Sequence, residues 1–378
     1  MINGLRVKQA REIRKLTQAQ LAKRLDVHQS VIGKMETDVR EWPPDIIAAI
    51  AFQTGFPVSF FHQGLGPEFP LGSLLFRCRA SLPANEKTRL RQLALLEFEI
   101  VERLSAKTKP IELRLPNFTG ENPREAARVT RATLGLPPDT PISHLINKLE
   151  RNGIFAFAVP DADDKFDAFS LWPDGYPRKP VMIINSNKPG DRMRFNCAHE
   201  LGHLVLHRSP RGNFVELEKE AHSFASEFLL PEEAMRRDIT QPITLTEIAK
   251  LKPRWGVSIQ ALVVRAHELE MLTERQYRYM FEQISRLGWR KNEPSNLDVK
   301  PEKPRLFRKL AEVAFGVPPS AEKIAALVCA PVGMVEEMLA VHAGKADLPN
   351  SEKGALSEVI EKDDKQSDNV LSFRKSQR

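Results

Sequence analysis

The sequence predicts a mainly α-helical protein with a small β-sheet, of the α+β class, that begins with an all-α helix-turn-helix domain. Three observations support this prediction. Apolar residues recur three and four apart through most of the 378 residues, which is the pattern of amphipathic helices. Short runs of strand-forming residues are concentrated between residues 154 and 184. Residues 5–36 show a capped helix, a turn and a further helix. The length suggests two or three domains.

The N-terminal segment, residues 5–36, contains the signals of helices joined by tight turns. Thr17 and Gln20 have the spacing of a capping box, in which each side chain caps a backbone N–H at the start of a helix. In the next helix, Val31 or Ile32 faces inward. This places four residues on the outward face of that helix, namely Gln29, Ser30, Gly33 and Lys34.

The outward residues suit contact with DNA. Glutamine amides can pair with adenine edges, and the short Ser30 permits a close approach to the groove. Gln18 stands at a helix N-terminus, where a phosphate is favoured. Residues 17–36 resemble the helix-turn-helix of the Cro/phage-repressor (XRE) type. The resemblance implies a homodimer on a double-stranded DNA operator. It assigns the contacts to Gln18, Gln29, Ser30 and Lys34. The alternative is a helical domain used only for protein contacts.

The sequence pattern after this domain predicts a mixture of helices and strands. A long amphipathic helix is expected through residues 90–100, as an arm between domains or a dimer contact. Another helix begins after Asn122, and a further one follows Pro137 and Pro138. The strand-forming runs are 154–159, 169–171 and 181–184.

The most informative motif is His199-Glu200-Leu201-Gly202-His203, an H-E-x-x-H pattern. Residues four apart on a helix share a face, so both imidazoles can point at one metal ion. Glu200 lies one step round the helix, where its carboxylate can take a proton from an attacking water. The apolar surroundings predict a buried helix, in which these polar side chains need a partner. The motif therefore predicts one zinc ion per chain, with Glu200 as the catalytic base.

A third metal ligand is predicted on the helical segment that ends at Pro231. Glu218 and His222 stand one turn apart beside its apolar stripe. Glu218 is the predicted ligand, and His222 is predicted to orient a zinc imidazole. Glu220 lies about 200° round the helix from Glu218, so both cannot serve one metal.

Other polar residues near the motif receive different roles. His207 lies about 12 Å along the helix from His199, so it is predicted to pack or cap. Cys197 falls on the side of the helix away from the predicted ligands. It is predicted to pack in the core rather than to bind the metal. A second donor for the reaction's oxyanion is not identified, and the candidates are Tyr176, Tyr279 and His267.

The runs R-F-N-C-A-H-E-L-G-H-L-V-L-H (194–207) and E-K-E-A-H-S-F-A-S-E-F-L-L-P (218–231) resemble the ImmA/IrrE family of metallo-endopeptidases. The likeness covers roughly residues 120–290, and it implies a gluzincin-like fold. It also implies that Glu200 is the general base. Position 222 is more often Asn or Asp in that family, so His222 departs from its pattern. The implied zinc ligands are His199, His203 and Glu218.

Composition restricts the compartment and the partners. The formal net charge of +7 suits an anionic partner. The three cysteines, Cys78, Cys197 and Cys329, are widely spread and odd in number, so they predict no disulfide framework. The chain contains no apolar stretch of membrane-spanning length, and its N-terminus lacks a signal-peptide core. We therefore expect a cytoplasmic protein that has no membrane partner.

Breaks in these patterns predict five segments. They are a helix-turn-helix domain (1–66), a linker with a long helix (67–120), a metallopeptidase domain (121–290), a C-terminal helical region (291–344) and a disordered tail (345–378). Within the fourth segment, residues 320–328 could begin a second helix-turn-helix, although the same pattern is common in ordinary helical bundles.

These observations predict a DNA-binding transcriptional regulator that carries a zinc-dependent endopeptidase. The ImmA/IrrE resemblance implies that the substrate is a repressor-type protein, itself with a helix-turn-helix domain. The alternative is a non-proteolytic regulator, or an antitoxin-like repressor, whose peptidase-like domain is a sensor or scaffold.

Overall fold

The structure is a computed structural model that describes most of the chain up to residue 343. The predicted disordered tail, like Cys78 and Tyr176, lies outside the described residues. The described ranges are 1–37, 39–64, 66, 82–106, 108, 111–173, 179–208 and 213–343.

The N-terminal domain contains the predicted helix-turn-helix. Its helices are α1 (Gly4–Ile13), α2 (Gln18–Arg24), α3 (Gln29–Thr37) and α4 (Pro44–Thr54). A short strand pair, β1 (Ile2–Asn3) and β2 (Val39–Arg40), and a 3₁₀ turn (Val58–His62) complete it.

Local signals explain where the helix-turn-helix begins and turns. Thr17 caps α2 by accepting a hydrogen bond from the backbone N–H of Gln20, whose side chain accepts one from the N–H of Thr17. This confirms the predicted capping box. Asp26 adopts a left-handed conformation (φ 51°) between α2 and α3, a region that Asp tolerates better than most residues. Ile32, rather than the half-buried Val31, faces the core.

The long helix α5 (Ala84–Ser105) is present where the sequence predicted it. It is packed on several sides rather than extended as a free arm. Nη2 of Arg6, a fully buried residue in α1, donates to both carboxylate oxygens of Glu99 in α5, at 2.9 and 2.8 Å. Phe98 of α5 packs on Phe155 of the sheet, with ring centroids 5.8 Å apart.

The middle of the chain forms the mixed unit that holds the metal motif. Its first elements are helices α6 (Pro123–Thr133) and α7 (Leu145–Arg151) and strands β3 (Phe155–Ala158), β4 (Ala168–Leu171) and β5 (Val181–Ile184). The helices that follow are α8 (Gly190–Leu206), α9 (Phe214–Leu229), α10 (Glu232–Asp238), α11 (Leu245–Trp255), α12 (Ile259–Glu268) and α13 (Glu274–Arg286). A 3₁₀ turn, Ser295–Leu297, leads on to the C-terminal region.

The sheet has the strand order β3–β5–β4. β3 runs parallel to β5, with Phe155 opposite Val181, and β4 runs antiparallel to β5, with Ser170 opposite Met182. Every residue of the three strands is buried, because the sheet is covered on both faces. Alternate side chains therefore enter two different cores.

The two cores divide the molecule differently from the predicted segments. One core contains apolar side chains of the helix-turn-helix domain, α5, one sheet face and the C-terminal helices. The other contains the opposite sheet face and side chains from α6 to α13. The N-terminal domain is thus joined to the sheet through continuous apolar packing.

The C-terminal helices are α14 (Leu306–Phe315), α15 (Ala321–Val328) and α16 (Val332–Val341). α15 and α16 bend by 116° at a three-residue turn, an arrangement that fits either a helix-turn-helix or an ordinary helical bundle. Ser320 caps α15 by accepting a hydrogen bond from the backbone N–H of Lys323. Cys329 is left-handed (φ 52°), like Asp26 between α2 and α3.

The C-terminal helix pair and the helix-turn-helix domain differ in the charge of their second helix. α3 exposes Lys34, whereas α16 exposes Glu336 and Glu337. Acidic side chains repel phosphates, so the exposed face of α16 does not suit DNA.

Among the described residues, no single helix is long and apolar enough to span a membrane; α15 and α16 meet the length and composition criteria only as a bent pair.

The pair Arg6–Glu99 provides a test of the contact between α1 and α5. Glu99→Ala is expected to lower the free energy of unfolding by about 3–5 kcal/mol, because it leaves the buried Arg6 guanidinium without its counter-charge. Urea denaturation followed by circular dichroism measures the change.

The control is Lys250→Ala, which breaks an exposed pair with Glu247 at the protein surface. It is expected to change stability by less than about 0.5 kcal/mol. A loss for Glu99→Ala no larger than for this control would show that the buried pair does not stabilise the contact.

Candidate functional site

The motif helix α8 and the following helix α9 pack unusually closely. Their contact is made possible by Gly202 inside the motif. A Cβ at Gly202 would lie 3.0 Å from a ring carbon of Phe224 on α9 and 3.2 Å from its Cβ. A larger residue would therefore push the helices apart. Asn213 starts α9 by accepting a hydrogen bond from the backbone N–H of Val215.

This packing brings three predicted ligands together. Nε2 of His199 and Nε2 of His203 are 3.2 Å apart. Oε2 of Glu218 lies 3.3 Å from Nε2 of His199, and Oε1 lies 3.1 Å from Nε2 of His203. Within the described ranges, these residues form the one group of three or more ligand-type side chains close enough to hold a metal.

The donor set fits zinc. Two imidazole nitrogens and a carboxylate are a common ligand set of catalytic zinc, with bonds of about 2.0–2.1 Å. The edges of such a tetrahedron are about 3.3 Å long, close to the 3.2 Å between the two Nε2 atoms. Each histidine lies at a similar distance from one of the two carboxylate oxygens of Glu218. Nε2 of both histidines lies in the cluster, and the side chains of His199 and Glu218 are partly exposed.

Glu218 is held as a carboxylate. Burial by itself raises its pKa, but hydrogen bonds and charge interactions with His199 and His203 outweigh that effect. The net result is a pKa well below the usual range for a glutamic acid. An ionised carboxylate is the form that a metal requires.

The predicted base, Glu200, is buried and is held by a residue that the sequence did not single out. Oγ of Ser170, on strand β4, donates to Oε2 of Glu200 at 2.8 Å. Ser170 lies on the sheet face that packs against α8, so only the tertiary fold reveals this contact.

His207 and Glu220 extend the polar cluster behind the metal ligands. Nδ1 of His207 lies 2.8 Å from Nδ1 of His203, and Nε2 of His207 lies 2.8 Å from Oε2 of Glu220. His207 is the C-cap residue of α8. The sequence predicted that it would pack or cap. Its imidazole also makes polar contacts that were not predicted.

His222 lies beside His199, with ring centroids 4.6 Å apart in an edge-to-face arrangement. The ring of Phe195 is 5.6 Å away on another side of His222. Burial lowers the pKa of His222, and the charge of His199 lowers it further. The contact between His222 and His199 is one of ring packing, because Nδ1 of His199 is buried without a hydrogen-bond partner.

The remaining candidates lie in other environments. Burial raises the pKa of the Cys197 thiol, so it remains protonated, as expected for a buried, apolar position. His267 stacks on Tyr277, with ring centroids 4.3 Å apart. Tyr279 lines a separate surface cavity between α11 and α13. No described contact places His267 or Tyr279 at the metal cluster.

The four predicted DNA contacts lie on α2 and α3. Gln29, Ser30 and Lys34 are exposed. Gln18 is half-buried, and its side chain donates to Oε2 of Glu36 at 2.8 Å. Nδ1 of His28 lies 2.8 Å from Oγ of Ser30.

A buried ion pair positions Gln18. Glu36 forms two hydrogen bonds with Arg11 of α1, one of them at 3.0 Å. The same carboxylate accepts the hydrogen bond from Gln18 at the start of α2. The orientation of the Gln18 amide is therefore set by α1 and α3 together.

Comparisons with known proteins define the class of both units. Residues 7–59 match the family model of the helix-turn-helix domain, and residues 149–267 match the model of the M78 peptidases described as the IrrE N-terminal-like domain. The first domain is thus a DNA-binding helix-turn-helix domain of the XRE type. The second is an IrrE-like domain that is similar to metallopeptidases. The ImmA/IrrE resemblance predicted from the motifs is confirmed.

A relative among curated proteins is "Uncharacterized immunity region protein 2" of Bacillus phage phi105. It is 37% identical over 83 residues, which cover 19% of this chain and 51% of the phage protein. The chain therefore spans about half the length of the curated relative that it matches.

The donor geometry leads to a prediction about metal content. The purified protein is expected to hold about one zinc per chain, and His199→Ala and Glu218→Ala are expected to lose it, because each removes one of three protein ligands. Elemental analysis after exhaustive dialysis measures the ratio.

Cys197→Ala is the control, because it removes a potential ligand that lies outside the donor cluster. Its zinc content should equal that of the wild type. Zinc retained at full stoichiometry by both ligand variants would show that the metal binds elsewhere.

Proposed function

We propose that this protein is a transcriptional regulator in which a DNA-binding domain is joined to a zinc-dependent endopeptidase that cleaves a repressor-type protein. The observation that carries the proposal is the cluster of donor atoms from His199, His203 and Glu218, on a helix pair that also carries the buried Glu200. Three protein ligands are typical of catalytic zinc, whereas structural zinc usually has four.

The residues of the site have distinct roles in this proposal. His199, His203 and Glu218 would hold the ion. When bound, zinc supplies Lewis-acid polarisation of the scissile carbonyl and acidifies a water molecule. Glu200 accepts the proton of the attacking water and passes it to the leaving nitrogen. Ser170 keeps the Glu200 carboxylate oriented by donating to its Oε2 at 2.8 Å.

Strand β4 holds Ser170 against the motif helix. In the described part of the chain, β4 pairs with β5 on one side and packs along α8. Trp172, just after β4, donates from Nε1 to the carbonyl oxygen of Leu204 at 3.3 Å, which ties the end of the strand to the motif helix. These contacts keep Ser170, and through it the carboxylate of Glu200, in a fixed position.

The identity of the substrate rests on resemblance. The ImmA/IrrE likeness points to a repressor-type protein with a helix-turn-helix domain, and the phage relative is named for an immunity region. Fusion to a DNA-binding domain would bring the peptidase to the operator where such a repressor binds. We further propose that the protein binds this operator as a homodimer.

Glu200→Gln tests the peptidase proposal. The variant is expected to keep its zinc and to lose at least about 10²-fold in cleavage rate, because it lacks the general base. Mass spectrometry of a peptide library before and after incubation measures the new N-termini. Glu233→Gln, which neutralises an exposed glutamate on α10, should cleave like the wild type.

Two outcomes of this experiment would contradict the peptidase proposal. Cleavage by Glu200→Gln at the wild-type rate would remove Glu200 as the base. Zinc binding without cleavage by the wild type, tested also on helix-turn-helix repressors, would favour the alternative of a sensor or scaffold.

The DNA-binding assignment leads to a separate prediction. On an operator selected from random duplexes, Gln29→Ala is expected to weaken binding by about 1–3 kcal/mol, because an adenine loses its amide partner. Lys34→Ala should weaken binding to all sequences and reduce the salt-dependence slope by about 1. Fluorescence anisotropy at several salt concentrations measures both effects.

Lys323→Ala is the matched control, because Lys323 is an exposed lysine of the C-terminal helix pair. It should leave both affinity and slope unchanged. If Lys323→Ala weakened binding as much as Lys34→Ala, the C-terminal unit would also contact DNA.

A further inference from the structure

The polar cluster behind the metal ligands is continuous from the protein surface to the donor cluster. Glu220 is partly exposed on α9, His207 is buried at the end of α8, and His203 is buried within the motif. The two contacts that link them are both 2.8 Å long. At this length each contact is a hydrogen bond that requires one proton between its two heavy atoms.

Only one arrangement of protons allows His203 to bind a metal through Nε2. Nε2 must carry a lone pair, so the proton of the neutral ring is on Nδ1. That N–H must then donate to Nδ1 of His207, which in turn must be an acceptor. The proton of His207 is consequently on Nε2, where the carboxylate of Glu220 accepts it.

The opposite arrangement removes the ligand. If Nδ1 of His207 carried the proton, Nδ1 of His203 would accept it, and a neutral His203 would be protonated on Nε2. The carboxylate of Glu220 disfavours a neutral His207 of this kind, because its unprotonated Nε2 would face an acceptor at 2.8 Å. Glu220 therefore acts on the metal site through the tautomers of two histidines.

We propose that His207 and Glu220 are positioning residues of the metal centre, which hold His203 in its metal-binding tautomer through a carboxylate–histidine–histidine relay. Partners of this kind commonly change metal affinity by about 10- to 100-fold. The proposal rests on the metal centre of the proposed function, and it concerns zinc binding rather than turnover.

Zinc affinity, measured by competition with a chromophoric chelator, tests the relay. His207→Phe keeps the bulk of the ring but removes both hydrogen bonds, and it is expected to weaken zinc binding by about 10- to 100-fold. His207→Gln is expected to restore most of the affinity. Its amide oxygen can accept from Nδ1 of His203, and its NH₂ group can donate to Glu220.

Glu220→Gln and Glu216→Gln form a matched pair. Both remove one negative charge from the first turns of α9, but Glu216 is exposed, and its carboxylate has no place in the relay. Glu220→Gln is expected to weaken zinc binding. A carboxylate can only accept from Nε2 of His207, whereas an amide can accept or donate. The tautomer of His207 is then no longer fixed. Glu216→Gln should bind zinc within about twofold of the wild type, as expected for a surface position.

Cobalt(II) substitution distinguishes positioning from a general loss of structure. The visible d–d spectrum of the cobalt-loaded His207→Phe protein is expected to change, because the coordination by His203 is disturbed. The melting temperature of its metal-free form is expected to stay close to that of the wild type.

An unchanged spectrum, with zinc affinity within twofold of the wild type, would overturn the relay. Equal losses for Glu216→Gln and Glu220→Gln would also overturn it. Failure of the wild type to bind zinc or cobalt would instead overturn the metal centre itself, and the relay with it.

Discussion

The packing of α8 against α9 is the constraint on which the candidate metal centre depends. Gly202 lies within the H-E-x-x-H motif and leaves room for Phe224 of α9 at a distance that a side chain would obstruct. The two motif histidines lie on one helix and Glu218 on the other, so the separations between their donor atoms follow from the distance between the helices. A side chain at position 202 would require Phe224 to shift by a few tenths of an ångström, and would therefore change these separations.

A second constraint concerns how the two functional units are joined. The helix-turn-helix domain shares its apolar core with α5, one face of the sheet and the C-terminal helices. The buried pair Arg6–Glu99 lies within this contact. The opposite face of the same sheet packs against α8. The sheet thus contacts the DNA-binding side of the molecule with one face and the motif helix with the other.

The residues that surround the ligands were harder to predict than the ligands. Ser170 contacts Glu200 from a strand 30 residues earlier in the chain, and no local pattern links the two. The angle between Glu220 and Glu218 on the helix predicts that the two residues cannot bind the same metal. The contact of Glu220 with His207 depends on how α9 crosses α8. His207 was considered only along its own helix, where it is too far from His199 to share its metal.

The sequence by itself determined the elements and the chemistry that they could carry. The capping box at Thr17 predicted the start of α2, and the spacing of His199, Glu200 and His203 predicted a metal-binding face. Both signals join residues that are no more than about one helical turn apart, so they can be recognised in the sequence. Only the tertiary structure decided which distant side chains meet, as with Ser170 and Glu200. It also showed that α15 and α16 meet at a three-residue turn and that α16 exposes two acidic residues. Contacts between segments depend on packing in three dimensions, and periodicity within one segment contains no information about it.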